Sequence, residues 1–181
     1  DSYINHKFVA ELAQGTLKEA CFKHYLKQDY LFLFHFARAY ALAVYKSQNL
    51  SDARQALSSL TEIIDVEMEL HIKFCADWGL REPEMASLPE ATETMAYTRY
   101  VLERGLSGDL LDLHVALAPC IIGYAEIGLC FNHQIIDNPY GDWIKMYASA
   151  DYQKLAETEI MQLDRLLASR GGEGRFESLS K

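Results

Sequence analysis

Proline, hairpin-turn dipeptides and positive charge are all scarce in this sequence. Proline occurs only as Pro83, Pro89, Pro119 and Pro139, and neither Asn-Gly nor Asp-Gly is present, so the tight turns that join antiparallel strands have little to form from. Half of the residues are hydrophobic, yet no run approaches the roughly 20 uninterrupted apolar residues of a membrane span, and no membrane association is expected. Nothing at the start resembles a secretory signal, and an opening Asp1 in place of Met is expected of a trimmed chain. Seventeen Lys and Arg stand against twenty-six Asp and Glu, for a net charge of -9. That field repels phosphate backbones, and no basic stripe overrides it, so nucleic acid is excluded as a partner. The four cysteines, Cys21, Cys75, Cys120 and Cys130, contain no C-x-x-C pair. They predict neither a zinc site nor a disulfide framework, but thiols in a reducing, cytoplasmic compartment, with no metal or cofactor required.

What is present has a helical period. From Thr16 to about Lys46, the residues Phe22, Tyr25, Leu26, Phe32, Leu33, Phe36, Tyr40 and Val44 recur at steps of three and four and predict one long helix. A second starts at Ser51 or Asp52, carries Leu57, Leu60, Ile63, Ile64, Met68 and His71 as its stripe, and ends at Gly79. Residues 81–89 hold two prolines and read as a loop. Helices are expected over about 91–104, stopped near Gly105, and over about 109–133, bent at Pro119 just before Cys120. Beyond the Asp137-Asn138-Pro139 turn, a short helix at 140–147 and a longer one at 151–169 follow, then a linker at 169–174. The chain stops at Lys181, where a further helix has only begun. The expectation is one all-α domain over residues 1–181, a compact bundle of six to eight helices that lacks its last helix.

Few residues suggest chemistry by themselves. Cys120 and Tyr124 lie four apart, on one helix face beside Pro119, where a thiolate would be the strongest nucleophile available at neutral pH. A thiol that packs as a small hydrophobe gives the same pattern. Asp29 falls among the aromatic residues of the first long helix, where a buried carboxylate is costly unless it meets a ligand or a partner; a surface or helix-pairing role fits as well. Phe32 and Phe36 could form flat walls beside it, as could ordinary core packing. Glu67 and His71 share a face, but a single such pair is a structural contact more often than a metal site. Tyr97 and Tyr147 default to amphipathic packing, although eleven tyrosines suffice to line a polar-tipped pocket for a flat heterocycle.

Taken in order, Lys27-Gln28-Asp29-Tyr30, Glu67-Met68-Glu69-Leu70-His71, Tyr97-Thr98, Leu106-Ser107-Gly108, Pro119-Cys120 with Tyr124-Ala125-Glu126-Ile127-Gly128, and Trp143 to Tyr147 resemble the TenA (thiaminase II) family in sequence and spacing. The match spans nearly the whole chain. It implies a haem-oxygenase-like helical bundle, commonly a homotetramer, and a hydrolase of thiamin salvage. The implied substrates are thiamin or 4-amino-5-aminomethyl-2-methylpyrimidine, with water replacing the group on the pyrimidine methylene. In this resemblance Cys120 matches the nucleophile of the cysteine-containing branch and Asp29 the carboxylate at the aminopyrimidine edge. Tyr97, Tyr124 and Tyr147 match pocket tyrosines, and Phe32 matches an aromatic wall. Relatives carry an acid-base glutamate on the final helix; Glu177 comes too early to match it, so the expectation is either a natural chain that continues or a truncated form of weakened activity. The alternatives that remain open are a thiamin- or pyrimidine-binding regulator without turnover, and a metal or redox enzyme on the same bundle.

Overall fold

A computed structural model describes residues 3–180, and among them all regular structure is helical. The chain divides into two compact units. One is Glu19–Ala116; the other joins the N-terminal residues up to Lys18 with those from Leu117 onward.

The Glu19–Ala116 unit is organised by α2 (Glu19–Lys46), which packs against α3 (Leu50–Glu62), α4 (Met68–Asp77), α5 (Glu82–Ala86) and α6 (Thr92–Ser107). Its buried side chains, Phe22, Leu26, Tyr30, Leu33, Phe36 and Tyr40, recur at the predicted helical steps, and each large apolar group removed from water contributes about 1.5–3 kcal/mol. The predicted loop at 81–89 instead contains the short helix α5. Pro83 falls in its first turn, where a proline costs nothing because that N–H has no intrahelical acceptor. Helix α6 runs past Gly105 to Ser107, because Gly105 is a close-packing position and not a stop: a Cβ there would stand 2.8 Å from both Leu113 and Leu42.

The second predicted helix is helical throughout, but its five central residues, Ile63–Glu67, form a π turn between α3 and α4. A π turn holds one residue more than an α turn and rotates everything downstream. Ile63, Glu67, His71 and Cys75, four apart, therefore continue one inward line, while Leu57 and Ile64 of the expected stripe are exposed. The run closes where predicted, at Gly79, whose φ of +73° lets the Gly79 and Leu80 amides cap the Ala76 and Cys75 carbonyls.

In the other unit, α1 (Lys7–Ala13) is a helix that the sequence pattern did not suggest. Asn138 holds it: its Nδ2 donates to the Leu12 and Ala13 carbonyls at 3.1 and 2.9 Å, and its Oδ1 accepts from Tyr140 N at 2.9 Å. Tyr140 Oη donates to the Leu17 carbonyl at 2.5 Å. Helices α8 (Gly141–Ala148) and α9 (Ala150–Ser169) follow, then a 3-10 turn over Gly172–Arg175 in the expected linker and the short α10 (Phe176–Leu179).

Helix α7 (Leu110–Phe131) begins in the first unit and continues in the second, running through Pro119 without ending. With the 3-10 turn after it, it is long and apolar enough to cross a membrane, but half of that apolar window is buried within the protein, as in a core helix. Its buried residues include Asp112 and His114 as well as Leu111, Leu113, Leu117 and Ile121.

Candidate active site

The six residues singled out from sequence fall into two sets, Asp29, Phe32 and Tyr97 in the first unit and Cys120, Tyr124 and Tyr147 in the second.

Asp29 lies on α2 at the centre of a largely buried polar cluster. Tyr25, one turn earlier, donates to its Oδ2 at 3.4 Å, and His71 Nδ1 lies 3.5 Å from the same oxygen. The other ring nitrogen of His71, Nε2, is 3.0 Å from the Leu26 carbonyl and 3.4 Å from Cys75 Sγ. Burial raises the Asp29 carboxyl above its ordinary range, while the positive charge available at His71 and the Tyr25 hydroxyl pull it back. Glu67, in the π turn, is pushed up to about 7 by burial and by the negative charges of Asp29 and Glu62. Burial thus raises two carboxyls of one cluster above their ordinary range, an arrangement typical of groups that hold or move protons.

Flat surfaces continue from Asp29. Phe32, one turn on, stacks on Phe36 with ring centroids 5.4 Å apart and on Tyr97 at 5.9 Å, the latter pair only 16° from parallel. The Tyr97 hydroxyl donates to the Ala116 carbonyl at 3.0 Å, three residues before Pro119, whose missing N–H interrupts the α7 hydrogen-bond ladder at this turn. Gln28, beside Asp29, fixes the start of α6: its Oε1 accepts from Ala91 N at 2.7 Å and from Thr94 Oγ1 at 2.9 Å.

Cys120 is half-buried on α7, and Tyr124 follows one turn later. Tyr124 leans on Tyr147 at 4.7 Å and on Trp143 at 5.8 Å, and Tyr147 packs edge-on to Trp143 at 4.6 Å and to Tyr152 at 4.8 Å. Tyr3 lies over the same stretch of α7: a Cβ on Gly123 would stand 2.9 Å from its ring, and the phenol is pushed up by burial and by the nearby Cys120. Glycine at 123 therefore makes room for an aromatic ring beside the thiol.

Three partners in these sets, Tyr3, Tyr25 and His71, are not among the six residues that the sequence singles out. Tyr3 belongs to the segment before the first predicted helix. Tyr25 read as an ordinary stripe residue. Helical spacing pairs His71 with Glu67, whereas the fold turns its ring toward Asp29. Cys75 forms the Cys–His pair that the sequence did not suggest, yet burial pushes its thiol up to about 12, so it is not a thiolate at neutral pH. Among the described residues, no three His, Cys, Asp or Glu are grouped so as to hold a metal ion.

A model of the TENA/THI-4/PQQC family matches residues 1–177. The chain belongs to that family. Among curated members, an aminopyrimidine aminohydrolase of Halalkalibacterium halodurans is 37% identical over 163 residues, which cover 88% of this chain and 73% of that protein. An uncharacterized protein of Haemophilus influenzae is 43% identical over 161 residues, 87% of this chain and 74% of its own length. Among solved structures, a TenA family transcription regulator of Silicibacter superposes with a TM-score of 0.93 at 43% identity, covering 98% of this chain and 81% of that one. The TenA fold is a helical bundle, in agreement with the all-α expectation.

Proposed function

We propose that this TenA family chain is a hydrolase of thiamin salvage. It converts 4-amino-5-aminomethyl-2-methylpyrimidine and water to 4-amino-5-hydroxymethyl-2-methylpyrimidine and ammonia, or cleaves thiamin at the same methylene, with Cys120 as nucleophile. The likeness to relatives named aminopyrimidine aminohydrolase supports the reaction class. The observation that carries the site is the accessible Cys120 thiol one turn from Tyr124, within the Tyr124–Trp143–Tyr147 aromatic cluster. Such a cluster suits a flat heterocycle.

In the proposed sequence, the Cys120 thiolate adds to an electron-poor ring carbon beside the methylene-bearing one. The ring electrons expel the methylene substituent, which leaves as the amine and takes up a proton. Water then adds to the exocyclic methylene and loses a proton, the ring electrons return, and the Cys120–carbon bond breaks to restore the thiolate. Asp29 holds the amidine edge of the pyrimidine, Phe32 and Tyr97 supply flat walls, and Tyr124 and Tyr147 line the ring. Positioned acid-base groups contribute about 10²- to 10⁴-fold to such a step. The reading includes a cytoplasmic, homotetrameric protein without metal or cofactor, whose mass in solution light scattering measures.

The test is release of ammonia from the aminomethylpyrimidine, and of hydroxymethylpyrimidine from thiamin, by the wild type and by Cys120→Ser. Turnover that falls by orders of magnitude in the variant, with pyrimidine affinity retained, supports the reading. Wild-type affinity for the pyrimidine without turnover of either compound replaces it with a binding or regulatory role.

A further inference from the structure

One side-chain amide joins the helix of Cys120 to the helix of Tyr147. Gln153, half-buried near the start of α9, donates from Nε2 to the Tyr147 carbonyl at 2.8 Å and to the Ala125 carbonyl at 3.1 Å. An amide nitrogen carries two protons, so both bonds form at once. The two acceptors belong to different helices, Tyr147 to the end of α8 and Ala125 to α7, one residue after Tyr124.

The end of α8 takes its donors from outside. The last four carbonyls of a helix lie beyond the reach of its own N–H groups, and Tyr147 is the penultimate residue of α8. Helix α9 begins at Ala150, directly after the single connecting residue Ser149, and this tight turn returns Gln153 to the Tyr147 carbonyl. From α7, Gly128 meets the same group: a Cβ there would stand 2.6 Å from the Tyr147 carbonyl oxygen. The Tyr147 main chain is thus held by the glycine of α7 and the amide of α9, while its ring packs on Tyr124, Trp143 and Tyr152 at centroid distances of 4.7, 4.6 and 4.8 Å.

We propose that Gln153 is a positioning residue that clamps Tyr147 to α7 and so sets the spacing of the Tyr124–Tyr147 pair that receives the pyrimidine beside Cys120. The inference rests on the aminopyrimidine reading above. Without the amide, both carbonyls need another donor, and admitting a water between them parts the end of α8 from α7. That movement carries the Tyr147 ring off Tyr124, whereas Cys120, on α7 itself, stays in place. Loss of Gln153 therefore weakens the grip on the pyrimidine and leaves the reactivity of the thiol unchanged, a split that a general loss of packing does not produce.

The test compares Q153M, which keeps the volume and removes both donors, with Q153K, whose ammonium can donate to both carbonyls. Affinity for 4-amino-5-hydroxymethyl-2-methylpyrimidine is measured by calorimetry, and the rate of Cys120 alkylation by iodoacetamide in the ligand-free proteins by peptide mapping. The expected result is affinity about tenfold weaker in Q153M and near the wild-type value in Q153K, with Cys120 alkylated at the same rate in all three. Wild-type affinity in Q153M marks a merely structural glutamine and overturns the proposal. A Cys120 alkylation rate that changes along with the affinity marks a general loss of packing and also overturns it. A folded Q153K that binds about tenfold more weakly overturns it whether or not Q153M folds. Absence of pyrimidine binding by the wild type overturns the functional reading, and near-ultraviolet circular dichroism of the ligand-free proteins then decides the clamp. A change in the signal of the Trp143–Tyr147 pair in Q153M that Q153K reverses supports the clamp, and identical spectra overturn it.

Discussion

Gly128 on α7 and Tyr147 on α8 meet backbone to backbone: a Cβ on Gly128 would stand 2.6 Å from the Tyr147 carbonyl oxygen and 2.6 Å from the Ala148 amide nitrogen. The obstacle is main chain, which has no rotamer by which to move aside. Gly128→Ala gains about 0.5–1 kcal/mol of helix propensity and incurs an overpacking cost of about 1–3 kcal/mol or more. We expect a net loss of about 2 kcal/mol in urea unfolding and reduced turnover, because Tyr147 shifts with α8. An unchanged midpoint would show that α8 yields freely.

The four thiols should separate by reactivity. Iodoacetamide applied to the native protein at mildly alkaline pH should label Cys21, Cys130 and Cys120 and spare Cys75, which is fully buried and pushed up to about 12. Peptide mapping by mass spectrometry reads the order. In parallel, Cys75→Ser should retain turnover while Cys120→Ser loses it; the reverse result would move the nucleophile to the Cys75–His71 pair.

Glu67 predicts a pH dependence of stability. Its carboxyl rises from the ordinary 4.5 to about 7 on folding, so between those values the unfolded chain gives up the proton first and the folded state loses stability as pH rises. Below the lower value both states are protonated and the effect vanishes; above the upper one it levels off at about 3 kcal/mol. Glu67→Gln should therefore raise the melting temperature at pH above about 7 and leave it nearly unchanged at acid pH. Melting curves of both proteins across this range are the check, and a pH-independent difference would refute the assignment.

Gln28 should matter through α6. Its side-chain oxygen supplies the cap that Ala91, the residue at the N-cap position, cannot. Gln28→Ala should cost about 1–2 kcal/mol in denaturant unfolding. Hydrogen exchange should quicken first at the start of α6, and exchange confined to other helices would contradict the capping role.

Helices α2, α7 and α9 could be read from the sequence within a few residues because the 3.6-residue period is a local property, and α2 and α7 carry Asp29, Phe32, Cys120 and Tyr124 on faces that spacing alone suggests. Helix α1 could not, since seven residues are too few to display a period and its place depends on Asn138, far along the chain. The 81–89 segment misled for the opposite reason: two prolines read as a loop, although one of them occupies the first turn of a helix, where proline is tolerated.

The sequence by itself determined the all-helical class and, through the ordered motifs from Gln28 to Tyr147, the family. Both rest on patterns that repeat within a few residues or keep a fixed order along the chain. Only the tertiary structure decided that Ile63–Glu67 is a π turn, that His71 faces Asp29, and that Tyr3 lies on Gly123 beside Cys120. Each of those relations joins residues brought together by packing, and packing energy, unlike helical period, is not written in any one stretch of the chain.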